Sequence, residues 1–291
     1  MIYVGPTDLV YNVEVCNDVM YVYGEARDTT VITDGLMRVE SGGLVSNTFV
    51  NAYASGVHIY SGGRAFYGNI RGNFEIYHGG EAHYLNIDVP AAQVKVNSGG
   101  TINYSWLRDG RMYVYIGGSM TKLDMSGGNL YLEGHASSAT ISGGVAYVSG
   151  GKMSGAIIRN NANMQVYRYG SACDTVMSGG VMVVSSGGVA RNTAIGSGSM
   201  TVTANGVASQ TTVSSGGTLK ILANGSAVSA NIVSGELYLG SGAVTSGIIG
   251  GFGVMNIHGG TATSTTINGS GTLHSGTMYN TSHRDDSDGE G

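Results

Sequence analysis

Three sets of residues have the side chains and the spacing to do chemistry. Asp34, Asp109 and Asp124 lie in or beside glycine-containing stretches, two of them as Asp-Gly pairs. A polysaccharide lyase or glycosidase would need such carboxylates to converge, with a pair roughly 5–10 Å apart for glycoside hydrolysis. Aspartate before glycine is also a habitual turn former, and that is the stronger expectation here. His58, Glu75 and Lys95 recur at similar intervals and place an acid between two bases. Acid–base catalysis could use them, but a solvated face with weak ion pairing accounts for them better. Tyr113, Tyr131 and Tyr147 form the third set, with Tyr77, Tyr115 and Tyr167 beside them. An exposed aromatic strip suits a carbohydrate or protein partner, although tyrosine also favours half-exposed strands for its own sake. The 7 His and 2 Cys show no metal-ligand spacing. The glycine corners lack the regularly placed aspartate of a calcium-binding nonapeptide. No metal and no cofactor is therefore expected.

The elements that must position these side chains come from an internal repeat. Superposing Val176, Ile195 and Val213 aligns Met182-x-Val184, Met200-x-Val202 and Leu219-x-Ile221, followed by Ala190, Ala208 and Ala227. Extended in both directions, unit starts fall at Ile32, Val50, Ile70, Ile87, Leu107, Leu123, Ile141, Ile158, Val176, Ile195, Val213, Ile232, Ile249 and Ile267. The mean step is about 18 residues, a solenoid-sized period. The first members of the triplet, from Met20 through Met182, Met200 and Leu219 to Leu273, are all apolar. The residues two further on, such as Val22, Ile59, Val184 and Ile221, are mostly β-branched. Alternate side chains of a strand point to opposite faces, so both columns face one way. The residue between them is Tyr21, Arg38, His58, Glu75, Lys95, Tyr113, Tyr131, Tyr147 and so on, the mixture expected of a wet face.

A second inward column of small residues runs through Ala65, Ala82, Ala136, Ala190, Ala208, Ala227, Val244 and Ala262. Between the columns lie Ser-Gly-Gly corners, beginning for instance at Ser41, Ser61, Ser126, Ser186 and Ser215, with Asn205-Gly206 and Asn224-Gly225 as variants. Glycine and asparagine tolerate the positive φ that a tight corner requires. The spelling is strand, glycine corner, strand, glycine corner. One coil buries about four apolar side chains at roughly 1.5–3 kcal/mol each, less than the entropy of ordering about eighteen residues. Only a stack can stand. The sequence therefore predicts an all-β fold, a single-stranded parallel β-solenoid (β-helix) of about 15 coils with roughly 18 residues per coil. Such a stack would be a rod on the order of 70 Å long. Residues 1–15 are expected to cap it, residues 16–275 to form the repeat domain, and residues 276–291 to be a flexible acidic tail.

Composition agrees and excludes several function classes. Fifty Gly beside only 2 Pro, with 42% hydrophobic and 11% charged residues, fits neither an average globular chain nor disorder. The formal net charge is −5, of which the tail from His283 to Gly291 carries −3, and no basic stripe exists to collect phosphates. Nucleic-acid binding is not expected. Cys16 and Cys173, about nine units apart, would lie on the order of 40 Å from each other, beyond disulfide reach. No run of eighteen apolar residues is present, so no helical membrane insertion is expected, and no outer-membrane barrel pattern or secretion signal is visible. Such a chain is expected either to be part of a longer exported protein or to work where it is made.

The stretches VMSGGVMVVSSGGVARNTAI, TTVSSGGTLKILANGSAVSANIV and GGTATSTTINGSGTL resemble the AIDA-type repeat of autotransporter adhesin passenger domains. The likeness covers roughly residues 32–275 and is clearest from Ser126 onward. It implies a non-enzymatic, surface-exposed β-solenoid stalk, located at the cell surface or outer membrane or secreted. The role implied is adhesion, autoaggregation or biofilm formation, through surface glycans, proteins or self-association. It also implies heptose on repeat hydroxyls, added by a glycosyltransferase, for which Ser185, Ser186, Ser214 and Ser215 are the matching candidates, all four expected to be exposed. Two other readings of the residues stay open at this point: a glycan-processing β-helix enzyme and a pure spacer.

Overall fold

The computed structural model describes residues 1–250, 253–267, 270–279 and 282–283. The regular elements among them are β-strands, and no helix there is long and apolar enough to cross a membrane. Within each compact unit the strands pair in parallel with their equivalents in the adjacent coils, and the expected parallel β-solenoid of about 15 coils and about 18 residues per coil is what forms. The chain divides into two compact units, Met1–Ala146 and Tyr147–Gly291.

In the first unit a coil is three-sided. Val19–Val22, Glu25–Arg27 and Thr30–Ile32 make one coil and pair in register with Leu36–Val39, Leu44–Ser46 and Phe49–Val50 of the next. The first face carries the apolar triplet. Met20, Met37, Val57, Phe74, Val94, Met112 and Leu130 stand one above another and are fully buried. The second unit repeats the plan, with Met164, Met182, Met200, Leu219 and Leu237 in a single buried file. Burying such a file in parallel strands suits methionine and leucine, which are not branched at Cβ, beside β-branched Val184, Val202 and Ile221, because every side chain meets the same column above and below.

The glycine corner after the triplet closes as a four-residue turn, with Gly188 N donating to Ser185 O (2.8 Å) and Gly206 N to Thr203 O (2.8 Å). A Cβ on Gly206 would collide with the carbonyl oxygen of Val184 in the coil before it, so glycine is required there by layer spacing rather than by φ. The Ser-Gly-Gly motifs, alike in sequence, occupy two different corners. Those at Ser41, Ser61, Ser98 and Ser186 follow the triplet, whereas those at Ser126, Ser142, Ser178 and Ser215 precede it.

A third corner, missing from the two-corner spelling, explains the extra face. It is turned by one left-handed residue per coil that is mostly not glycine: Asn12, Asp28, Asn47, Tyr67, Tyr84, Tyr104, Lys122 and Ser138 in the first unit. In the second unit it is Gly155, Asp174, Asn192, Gln210, Ser229, Gly247 and Ser264. The residue that follows points inward and forms a further buried file, including Thr29, Thr48, Ser105, Thr175, Thr193 and Thr211. Because asparagine, aspartate and serine mark loops and caps as well as left-handed corners, this turn carries no unique signature.

Several expected registers shift by one or two residues. Val31, not Ile32, is buried and pairs with Val50. Met177, not Val176, sits between Ile158 and Ile195, and Val176 is exposed. Met125, rather than Leu123, aligns with Leu107, while Gly250 rather than Ile249 aligns with Ile232. Thr245 replaces Val244 in the small inward column, opposite Ala227. Leu273 pairs with Ile257, two positions later than expected, which puts Thr272 rather than His274 opposite Asn256. The cause is common to most of them: where two neighbouring residues are both acceptable inside, a one-residue slip exchanges the faces and only cross-coil pairing decides.

At the start of the chain, Ile2–Val4, Leu9–Tyr11 and Glu14–Cys16 pair in parallel with the coil that follows. Residues 1–15 are thus themselves built as a three-strand coil. At the other end, Ser270–Tyr279 and Ser282–His283 are strands that run into the segment expected as a tail, whose residues 280–281 and 284–291 lie outside the described residues.

Candidate binding surfaces

The wet middle position of the triplet brings His58, Glu75 and Lys95 together as expected, each in register with the next. Lys95 Nζ donates to Glu75 Oε1 (2.7 Å) and Tyr77 Oη to Glu75 Oε2 (2.6 Å), so both carboxylate oxygens are engaged. Burial pushes the Glu75 carboxyl upward, but the bonds from Lys95 and Tyr77 outweigh it and hold the group below its ordinary range. Burial likewise lowers the His58 imidazole, with Arg38 and Lys95 adding to the effect and Glu75 opposing it. The Tyr77 phenol is raised, by burial and by its bond to Glu75. Tyr60 and Tyr77 stack at 4.9 Å, and the Arg38 guanidinium lies 4.4 Å from the Tyr60 ring centroid. This is a closed network around one carboxylate. The residues in register with Glu75 are His58 and Lys95 rather than the second carboxylate that glycoside hydrolysis would require.

The aspartates do not join that network. Asp34 is itself a left-handed corner residue, and Asp109 accepts from Gly110 N at 2.7 Å, the turn-forming roles expected of them. Asp124 lies within the strand Ser119–Met125 and faces solvent opposite Trp106. Among the described residues no cluster of three or more metal-ligating side chains occurs.

Of the expected aromatic ladder, Tyr113 and Tyr131 stack at 4.8 Å with ring planes 9° apart, and Tyr115 stacks beside Tyr113 at 6.0 Å. Both ladder rings are half-buried, and Tyr147 belongs to the second unit. Ser186 and Ser215 are exposed and Ser185 and Ser214 half-buried, with the Ser185-Ser186 pair after a triplet and the Ser214-Ser215 pair before one.

A second aromatic ladder occupies the left-handed corner of the first unit. Tyr67 and Tyr84 stack at 4.9 Å, Tyr84 and Tyr104 at 5.3 Å, and the Trp106 ring lies 6.4 Å from Tyr84. Lys122 ends the ladder, its ammonium 4.3 Å from the Tyr104 ring centroid and bonded to the Tyr104 hydroxyl at 2.6 Å. Asn47 opens it, tied to Asp28 through its side-chain amide at 2.5 Å. All three tyrosines have positive φ, 57°, 58° and 53°. A bulky residue there is an outlier. Three of them cost roughly 3–6 kcal/mol, of which two stacked pairs return roughly 1–3 kcal/mol. Residue-by-residue reading missed this set because left-handed tyrosine has no propensity signal. The one available clue was that Tyr67, Tyr84 and Tyr104 recur at about the coil period.

No family model and no curated protein matches the chain. Among solved structures, the crystal structure of a TibA fragment, hyper-glycosylated through TibC catalysis, matches with a TM-score of 0.75 at 26% sequence identity. The match covers 93% of this chain and 100% of that one. Coil geometry, repeat spelling and this likeness together support the resemblance to the AIDA-type repeats of autotransporter adhesin passenger domains.

Proposed function

We propose that the chain is a non-enzymatic, exported surface module that serves as an adhesin-like β-helix stalk in adhesion, autoaggregation or biofilm formation. The observation that carries it is the likeness to the TibA fragment over nearly all of the chain. The engagement of both Glu75 oxygens supports the absence of catalysis. A stack of coils presents equivalent shallow positions again and again, so weak contacts gain by multivalency. The Tyr113 and Tyr131 positions are proposed as a contact face of the first unit and the Tyr147 position as a contact point of the second, with Ser185, Ser186, Ser214 and Ser215 as acceptors for a glycosyltransferase. The TibA fragment's own hyper-glycosylation supports such a modifier.

The test is display of the chain on cells that otherwise remain dispersed. Faster sedimentation of displaying cells supports the role, and unchanged sedimentation and surface attachment would sink it. Intact mass after co-expression with TibC tests the acceptor role. Sugar-sized increments are expected, and they should decrease when the four serines are changed to alanine.

A further inference from the structure

We infer that the corner strip formed by Tyr67, Tyr84, Tyr104 and Trp106 in the first unit binds an uncharged oligosaccharide lying along the stack. Tyr67 is 60% exposed, Tyr104 41% and Trp106 38%, so these rings face solvent at a corner that most other coils turn with asparagine, aspartate, serine, glycine or glutamine. The fold does not ask for aromatic side chains there. The strip is linear and repeats once per coil, with ring centroids 4.9 and 5.3 Å apart, the geometry for a polymer rather than a compact small molecule.

Other occupants fit less well. An extended peptide could not add as a strand, because the corner amides are already used: Tyr67 N donates to His83 O at 3.0 Å and Tyr84 N to Asn103 O at 3.1 Å. Four partly exposed rings offer roughly a few hundred Å², below the ~800 Å² per partner of a stable protein interface. An acidic polymer would want a surplus of cations, yet Lys122 is held on Tyr104, Arg71 is paired with Asp88 at 3.6 Å and Asp124 stands opposite Trp106. What remains is a neutral sugar chain, whose hydroxyls meet the row of phenol groups while its C–H groups pack on the outward ring edges and on the Trp106 indole, the facing tyrosine surfaces being taken by stacking and by Lys122.

The inference rests on the reading of the chain as a surface module only for its biological use, since sugar binding is measured in solution without cells. Trp106 is the chain's single tryptophan and reports directly on the strip. The intact chain is titrated with cellohexaose, maltohexaose, laminarihexaose and chitohexaose, with heparin as the acidic comparison, while Trp106 emission is followed. A saturable change with at least one neutral hexasaccharide is expected. In the Tyr67→Asn/Tyr104→Asn double variant the affinity should fall at least tenfold while Tm stays at or above that of the unaltered chain, because asparagine accepts the left-handed corner. A Tyr67→Phe/Tyr104→Phe variant, which keeps the rings, should retain binding within about tenfold of the unaltered chain. A response to heparin alone, no saturable response to any neutral hexasaccharide, or equal affinity in the asparagine variant would each overturn the assignment. Failure here leaves the aggregation test untouched.

Discussion

At the residue scale, the file behind the left-handed corner holds an uncompensated cost. The hydroxyls of Thr175, Thr193 and Thr211 are buried with no hydrogen-bond partner among the described residues, whereas in the first unit Thr29 and Thr48 bond to each other at 3.1 Å. An unsatisfied buried hydroxyl costs about 1–3 kcal/mol. Thr193→Val keeps the shape and removes the hydroxyl, so denaturant unfolding should show a gain of about 1 kcal/mol. The network around Glu75 sets a pH dependence. The folded chain resists protonating His58, among Arg38, Glu75, Lys95, Tyr60 and Tyr77, while the unfolded chain accepts that proton near its ordinary value of about 6.5. His58 thus contributes full stability above about pH 6.5 and loses it as pH falls through its lowered folded value. Glu75, also lowered, keeps its contribution above about pH 4.3 and loses it below. A His58→Gln variant should show a flatter stability curve just below pH 6.5, measured by urea midpoints; an unchanged slope there would contradict the assignment.

At the element scale, the coil is held by what its corners allow. Gly206 packs against the Val184 carbonyl of the previous coil, so Gly206→Ala must push two layers apart and should cost about 1–3 kcal/mol, read as a lower urea midpoint. The buried triplet file is ordinary core. Met182→Ala removes a side chain with no solvent exposure and should cost about 2–5 kcal/mol. Sequence patterning made this file legible because Met182, Met200 and Leu219 stand beside Val183, Thr201 and Lys220, a clear inside–outside alternation. It misplaced Val176 because Met177 is equally apolar, and Ile32 because Val31 is. The Tyr67 corner left only the recurrence of tyrosine at about the coil period to read, since its conformation is imposed by the coils around it rather than preferred by tyrosine.

Across the whole molecule the two units differ in what they present. Among the described residues, five ion pairs and a His83–Glu81 contact fall between Met1 and Lys95, and the ladder of Tyr67, Tyr84 and Tyr104 lies in the same unit. The second unit instead carries the proposed acceptor serines. Each coil touches its neighbours and little else, so damage should stay local. In Met200→Ala, amide exchange is expected to accelerate in the coils from Met177 to Ile221 and to stay unchanged around Met37. Uniform acceleration along the chain would show instead that the stack unfolds as one piece.

Composition and periodicity alone determined that the chain stacks in parallel coils of about 18 residues. Alternation within each triplet and glycine at fixed intervals leave a stack as the way to bury its apolar columns. Tertiary structure decided the number of faces per coil, the inward member of each apolar pair, and the meeting of Tyr67, Tyr84, Tyr104 and Trp106 in one strip. Those outcomes depend on contacts between residues a full coil apart, and such neighbours exist only once backbone pairing has set the register.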